Sequence, residues 1–182
     1  GGEGSVAGQY ANACWLLGRT ALESGDAKAA LTYFEKGFDF KENLGEVPFE
    51  EETVGLKYFL GLAYKDLGLE DQANQTFEDI LAMRGELSLV PYYQGLALIQ
   101  LGKQQEGKQK MAELKRKATE LAETGIAPDY FYYGNPSPTF EEDLTKRQRM
   151  HFIFLVGMAC VGLGDVYGAR SALGQVIAAD PA

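Results

Sequence analysis

Four glycines set a register that runs through the whole chain. Gly18, Gly61, Gly95 and Gly157 are each followed seven residues later by another glycine: Gly25, Gly68, Gly102 and Gly164. Twelve residues after each comes a small residue, Ala30, Ala73, Gly107 or Ala169. Sixteen residues after each comes a large apolar one, Phe34, Phe77, Met111 or Leu173. Agreement at three offsets in four places marks an internal repeat, and a short repeat that cannot bury its apolar face alone must stack on its neighbours.

The register has a direct reading in backbone terms. Residues ahead of each second glycine carry helical apolar spacing, as in Trp15, Leu16, Ala21, Leu22 and in Phe59, Leu60, Ala63, Tyr64, Leu67. The second glycine then ends the helix where a left-handed residue is required. The first glycine falls inside a helix, where it costs about 1 kcal/mol relative to Ala. An offsetting gain is expected from close approach of two paired helices, with the small residue at offset twelve facing the glycine. Each unit is therefore a helical hairpin.

The first glycines lie 43, 34 and 62 residues apart, so the first and third spacings contain insertions. The shorter insertion is punctuated by Gly45 and Pro48. The longer one holds a segment 125–139, after which Thr139-Phe140-Glu141-Glu142 forms a capping-box signal that opens a long helix. Eight helices are predicted, at about 6–24, 27–42, 49–67, 70–84, 89–101, 104–124, 140–163 and 166–179, and no stretch sustains strand alternation. They pair into hairpins 6–42, 49–84, 89–124 and 140–179 of a single domain, 6–182, behind a flexible start or processed remnant at 1–5.

These residues resemble the tetratricopeptide repeat family, whose loose pattern runs Leu-Gly, an aromatic, Gly, Ala, an aromatic, Ala and Pro. The copies are Leu17-Gly18…Gly25…Ala30…Phe34, Leu60-Gly61…Tyr64…Gly68…Ala73…Phe77 and Val156-Gly157…Gly164…Ala169…Leu173…Pro181. The third, Gln94-Gly95…Leu98…Gly102…Gly107…Met111, departs most. The resemblance implies an all-α, TPR-like alpha-alpha superhelix, a right-handed solenoid of helical hairpins whose first helices line a concave groove. It also implies that residues three before and one after each first glycine face that groove. The former are Trp15, Tyr58, Tyr92 and Phe154, and the latter Arg19, Leu62, Leu96 and Met158, with His151 one turn ahead of Phe154. Such a lining suits a protein or peptide segment, or another domain of the same full-length chain. Some family members hold a partner's terminal carboxylate with Lys, Asn and Arg at these positions. Here only Arg19 qualifies, so that mode is not expected.

A second, narrower resemblance rests on Pro128-Asp129-Tyr130-Phe131 followed by Phe140-Glu141-Glu142-Asp143-Leu144 and Arg147. The run is similar to the C-terminal repeat region of large bacterial proteins that carry an uncharacterised, carbohydrate-associated region ahead of the repeats. It implies that this chain is a fragment of a larger bacterial protein. The missing initiator Met and the stop just after Asp180-Pro181 fit that expectation.

Composition removes several function classes. The formal charge of −9 repels a nucleic-acid backbone, so no nucleic-acid partner is expected. The longest apolar run, around 152–160, is too short to span a membrane. One histidine and two cysteines offer neither a zinc set nor a disulfide scaffold. Cys14 and Cys160 are expected as free thiols in packed positions, in keeping with a cytoplasmic location. No nucleophile–base pair, phosphate-cradling loop or metal spacing is recognisable, so catalytic residues, cofactors and metals are all expected to be absent. The basic run Lys103, Lys108, Lys110, Lys115, Arg116, Lys117 is interleaved with Glu106 and Glu113 and reads as a solvated helix face.

Two further features bear on partners. Tyr130, Phe131, Tyr132 and Tyr133 form four consecutive aromatics in the long insertion, a candidate docking loop. In an accessory module for a small molecule or carbohydrate, that loop and the groove would form the site. The last helix, with Val166, Ala169, Leu173, Val176 and Ile177 as its expected core stripe, is followed by no polar capping helix and invites a homodimer or another covering partner.

Overall fold

The computed structural model describes residues 6–39, 50–124 and 141–179. Among them are eight helices and no strand: α1 (Val6–Glu23), α2 (Ala27–Lys36), α3 (Glu50–Asp66), α4 (Glu70–Ala82), α5 (Val90–Gln100), α6 (Gln104–Thr124), α7 (Glu141–Leu163) and α8 (Val166–Ala179). The fold is an all-α array of helical hairpins. Two compact units divide within α6, at Gly1–Gly107 and Lys108–Ala182.

All four second glycines do what the sequence demands of them. Gly25, Gly68, Gly102 and Gly164 have φ of +82°, +72°, +80° and +75°. The amide of the residue after each glycine reaches back over the last turn, Asp26 to Ala21 O, Leu69 to Tyr64 O, Lys103 to Leu98 O and Asp165 to Cys160 O, at 2.8–2.9 Å. This is the Schellman closure, which satisfies carbonyls a helix end would otherwise leave bare. Two of the four turns also carry an aspartate that caps the next helix. Asp26 Oδ1 accepts from Ala29 N and Asp165 Oδ1 from Gly168 N, each at 2.9 Å.

The interior glycines correct the expectation stated above. It is the residue at offset sixteen, not the small one at offset twelve, that occupies the missing side chain's space. A Cβ on Gly18 would clash with the edge of the Phe34 ring, one on Gly61 would fall 2.6 Å from Phe77 Cε1, and one on Gly157 2.6 Å from Leu173 Cδ2. Only the third repeat follows the small-on-small pattern, where a Cβ on Gly107 would fall 2.5 Å from the carbonyl oxygen of Gly95. Its offset-sixteen residue, Met111, is buried as well.

In the first unit α1 pairs with α2 and α3 with α4; α3 also packs on α1, α2 and α5, and α4 on α5. The first-repeat core is Ala11, Ala30, Phe34, Leu56 and Ala63, with Trp15, Leu31, Phe38, Phe59 and Leu60 packed against it. The second helix stops at Lys36, short of the predicted residue 42; residues 40–42 lie outside the described part. Gly37 caps it, still right-handed at φ −63°, where α3 packs closely: a Cβ at this position would sit 2.6 Å from Leu56 Cδ2. The third repeat's departure, Gln94 where others carry Leu or Val, also has a cause. Helix α4 ends in extended Met83, which leaves its last carbonyls without a Schellman closure. The buried Gln94 Nε2 donates to the exposed carbonyls there, Met83 O at 2.9 Å and Leu81 O at 3.3 Å.

In the second unit α7 and α8 pack closely, with Phe152, Leu155, Ala159, Cys160, Ala169 and Ala172 among the buried residues. Lys115 on α6 donates to Asp165 Oδ2 at 2.8 Å, so this member of the basic run bridges elements and does not simply face solvent. Arg116 and Lys117 pair within α6, with Glu120 and Glu113. The α8 stripe differs from expectation: Ala169 and Ala172 are buried, whereas Val166 and Ile177 are exposed. Cys14 and Cys160 are free and buried.

Candidate functional site

The groove positions of the first unit carry a chain of ring contacts. Trp15 and Phe59 meet edge-on at 5.9 Å, Phe59 and Tyr58 at 5.6 Å, Tyr58 and Tyr93 at 5.6 Å, and Tyr93 and Tyr92 at 5.2 Å. The pattern is regular in the repeat register. A ring three residues before one glycine (Trp15, Tyr58) stacks on the ring two residues before the next (Phe59, Tyr93). Burial grades along it: Tyr58, Tyr92 and Tyr93 are buried, while Trp15 and Phe59 are half-exposed at one end.

Arg19 lies at that open end. Its guanidinium carbon sits 4.9 Å from the centre of the Trp15 ring and 5.4 Å from that of Phe59, and its Nη2 donates to Glu23 at 3.0 Å. A partly exposed cation over a ring contributes about 0.5–1 kcal/mol, enough to fix the side chain's place without burying it. The buried Trp15 Nε1 has no acceptor among the described residues.

Electrostatics mark the rest of the chain of rings as a supporting floor. Burial pushes the Tyr93 phenol up to about 12, helped by neighbouring Tyr92 and eased by Arg19. Tyr58 and Tyr92 are raised for the same reason, burial, with Gln100 partly offsetting it at Tyr58. Gln100 Nε2 donates to Tyr58 Oη at 3.3 Å, and Lys65 Nζ donates to Gln100 Oε1 at 2.9 Å, so the phenol has a polar outlet. Phe59 and Tyr93 were missed by the groove rule. Their signal is the column two residues before each first glycine, which is Leu16, Phe59, Tyr93 and Leu155.

The remaining candidates belong to the second unit. His151 is exposed and meets Phe152 at 5.8 Å, while Phe154 and Met158 are half-buried. A separate open cleft of about 330 Å³ lies among Lys115 and Thr119 of α6, Ile153 and Cys160 of α7, and Ser171 and Gln175 of α8. Burial pushes the Cys160 thiol up, against an opposing pull from Lys115, which is the wrong direction for a nucleophilic thiolate. The aromatic loop Tyr130–Tyr133 and the residues of the narrower resemblance from Pro128 to Phe131 lie outside the described residues.

A sequence model of the tetratricopeptide repeat matches residues 11–44, the segment that holds the first hairpin. The chain thus carries a tetratricopeptide repeat where Gly18, Gly25, Ala30 and Phe34 set the register. Such repeats are non-catalytic scaffolds that generally mediate protein–protein interactions. No solved structure matches the chain. No helix among the described residues is long and apolar enough to cross a membrane.

Proposed function

We propose that this chain is a non-catalytic interaction module that holds a protein or peptide segment, or another domain of its own full-length chain. The contact surface on the first unit is Trp15, Arg19 and Phe59, raised on the buried floor of Tyr58 and Tyr92. On the second unit, His151, Phe154 and Met158 are its proposed counterparts. The observation that carries the reading is the half-exposed Trp15–Arg19–Phe59 cluster at the end of an otherwise buried series of rings. Rings and an arginine with few degrees of freedom are what protein contacts concentrate their energy on. A net charge of −9 disfavours strongly acidic partners, leaving neutral or basic segments with apolar side chains.

The test is selection of displayed peptides against the chain, followed by affinity measurement on variants. Trp15→Ala and Arg19→Ala should each weaken a selected peptide about tenfold or more, with helical content unchanged. Peptides whose affinity ignores both substitutions would place the contact elsewhere. A glycan that binds, is lost on the same substitutions and competes where no peptide does would favour the carbohydrate module instead.

A further inference from the structure

We infer that the cleft among α6, α7 and α8 binds a small zwitterion, an α-amino acid with an apolar side chain. The argument uses none of the contact residues proposed above. Arg149, Ile153, Val156 and Cys160 line this cleft, whereas His151, Phe154 and Met158 lie about half a turn round α7 at 3.6 residues per turn.

The repeat register shows why the space is there. In the first unit the equivalent positions of α3 and α4 close on one another. Lys57 Nζ reaches Asp79 Oδ2 at 3.5 Å, and Tyr64 Oη donates to Glu35 of the neighbouring hairpin at 3.4 Å. At the same offsets from Gly157 the ion pair becomes Ile153 and Gln175, and Tyr64 becomes Cys160. Gln72 and Thr76 become Gly168 and Ala172. A Cβ on Gly168 would meet Asp165 Oδ2 and fall 2.8 Å from Cys160 Sγ, so this part of the wall has room for no side chain. The result is a cleft of about 330 Å³, at the lower end of the range of about 300–1,000 Å³ usual for small-ligand sites.

Charge then selects the ligand. Lys115, Asp165, Cys160 and Gly168 meet at one end of the cleft, where Asp165 already satisfies Lys115 at 2.8 Å. Along their helices Glu123 lies about 12 Å from Lys115, Arg149 about 16 Å from Cys160 and Gln175 about 10 Å from Gly168, at 1.5 Å per residue. These three mark the opposite end. Among the described residues neither Arg149 nor Glu123 has an ion pair or hydrogen bond. A ligand with a single charge would suit one of them and be repelled by the other. A molecule with a carboxylate for Arg149 and an ammonium for Glu123 suits both. Between the two ends Ile153, Val156 and Ala172 offer an apolar path for a side chain. A net-neutral zwitterion is also indifferent to the chain's charge of −9, which repels a plain carboxylate.

Titration of the chain with L-leucine and with L-phenylalanine, followed by amide NMR, tests this. Saturable shifts are expected in α6 beyond Lys115, in α7 around Ile153 and in α8 around Ala172, with α1 to α3 unmoved. Arg149→Gln and Glu123→Gln, both at exposed positions, should each weaken binding about tenfold or more while circular dichroism stays unchanged. Ser171→Phe, exposed on the rim, should abolish binding by filling the cleft. Two analogues check the charge argument. 4-Methylpentanoate lacks the ammonium and 3-methylbutylamine lacks the carboxylate, so each should bind about tenfold or more weakly than leucine. No saturable shift with either amino acid overturns the proposal. So does binding that ignores both charge substitutions, or 4-methylpentanoate held as tightly as leucine, which would mark a plain anion site.

Discussion

The first unit is held by rings and the second by aliphatic contacts with one charged tie, and the two should fail under opposite conditions. In the first, Phe34 and Phe77 fill the spaces above Gly18 and Gly61, and ring contacts carry one repeat into the next. In the second, Leu173 covers Gly157, the Lys115–Asp165 pair joins α6 to the start of α8, and an open cleft remains among the three helices. The same repeat register thus tolerates two ways of joining neighbours. A planar ring fixes both spacing and angle between helices, whereas a leucine fixes mainly spacing.

The largest expected difference lies at offset sixteen. Phe34 is fully buried and Leu173 half-buried. Phe34→Ala should cost about 4 kcal/mol, and Leu173→Ala about 2 kcal/mol, in urea unfolding followed by tryptophan fluorescence and far-ultraviolet dichroism. Equal losses would mean that the buried ring holds its repeat no more firmly than the half-buried leucine holds its own.

Next in size is the response to alkali. Tyr93 ionises at about 12 in the folded chain against 10.0 when free. The folded state keeps the phenol proton after the unfolded state has begun to lose it. Stability from this group is therefore whole below pH 10 and falls as pH rises toward 12, by roughly 2 kcal/mol. Tyr93→Phe should flatten that loss, read as a shallower fall of Tm between pH 9 and 11. An unchanged slope would show that this phenol is not shielded.

The smallest effect belongs to the second unit and runs the other way in pH. Lys115 beside Asp165, with the Gly168 amide as a further donor, holds the carboxyl below the usual carboxylate range. Its contribution is present above that range and is lost as pH falls through the lowered folded value. Both side chains are more than a third exposed, so the effect on stability is small. An NMR titration of the Asp165 carboxyl should show a depressed midpoint that moves up in Lys115→Met. A midpoint unmoved by that substitution would remove the charged tie from the comparison.

The ends of the first helices were legible in the sequence because they depend on one residue's backbone freedom, and each second glycine reports that locally; the end of α2, at Lys36 and not residue 42, was not. Helix faces were less so. Which residue lies above Gly18 depends on how α2 is rotated, and the choice between Ala30 and Phe34 is made by packing across two helices. Gln94 departs from the repeat pattern, yet it donates to the last carbonyls of α4, eleven to fourteen residues upstream. Trp15 and Arg19 were legible as candidate surface residues, but Phe59, which completes their cluster, was hidden one column away. Ile177 and Val166 were misplaced because an apolar helical stripe reads as core whether or not a neighbour covers it.

The repeat register itself is tested most directly by substituting two helical glycines and measuring Tm. Gly61 lies beneath the Phe77 ring, whereas an added Cβ on Gly174 of α8 meets nothing within 4 Å. Gly61→Ala should therefore lower Tm, by overpacking worth about 2 kcal/mol, and Gly174→Ala should raise it, by a helix-propensity gain of up to about 1 kcal/mol. A Gly61→Ala chain as stable as the wild type, or more so, would contradict the assignment of offset sixteen to the glycine's partner, and with it the contact surface argued from that register.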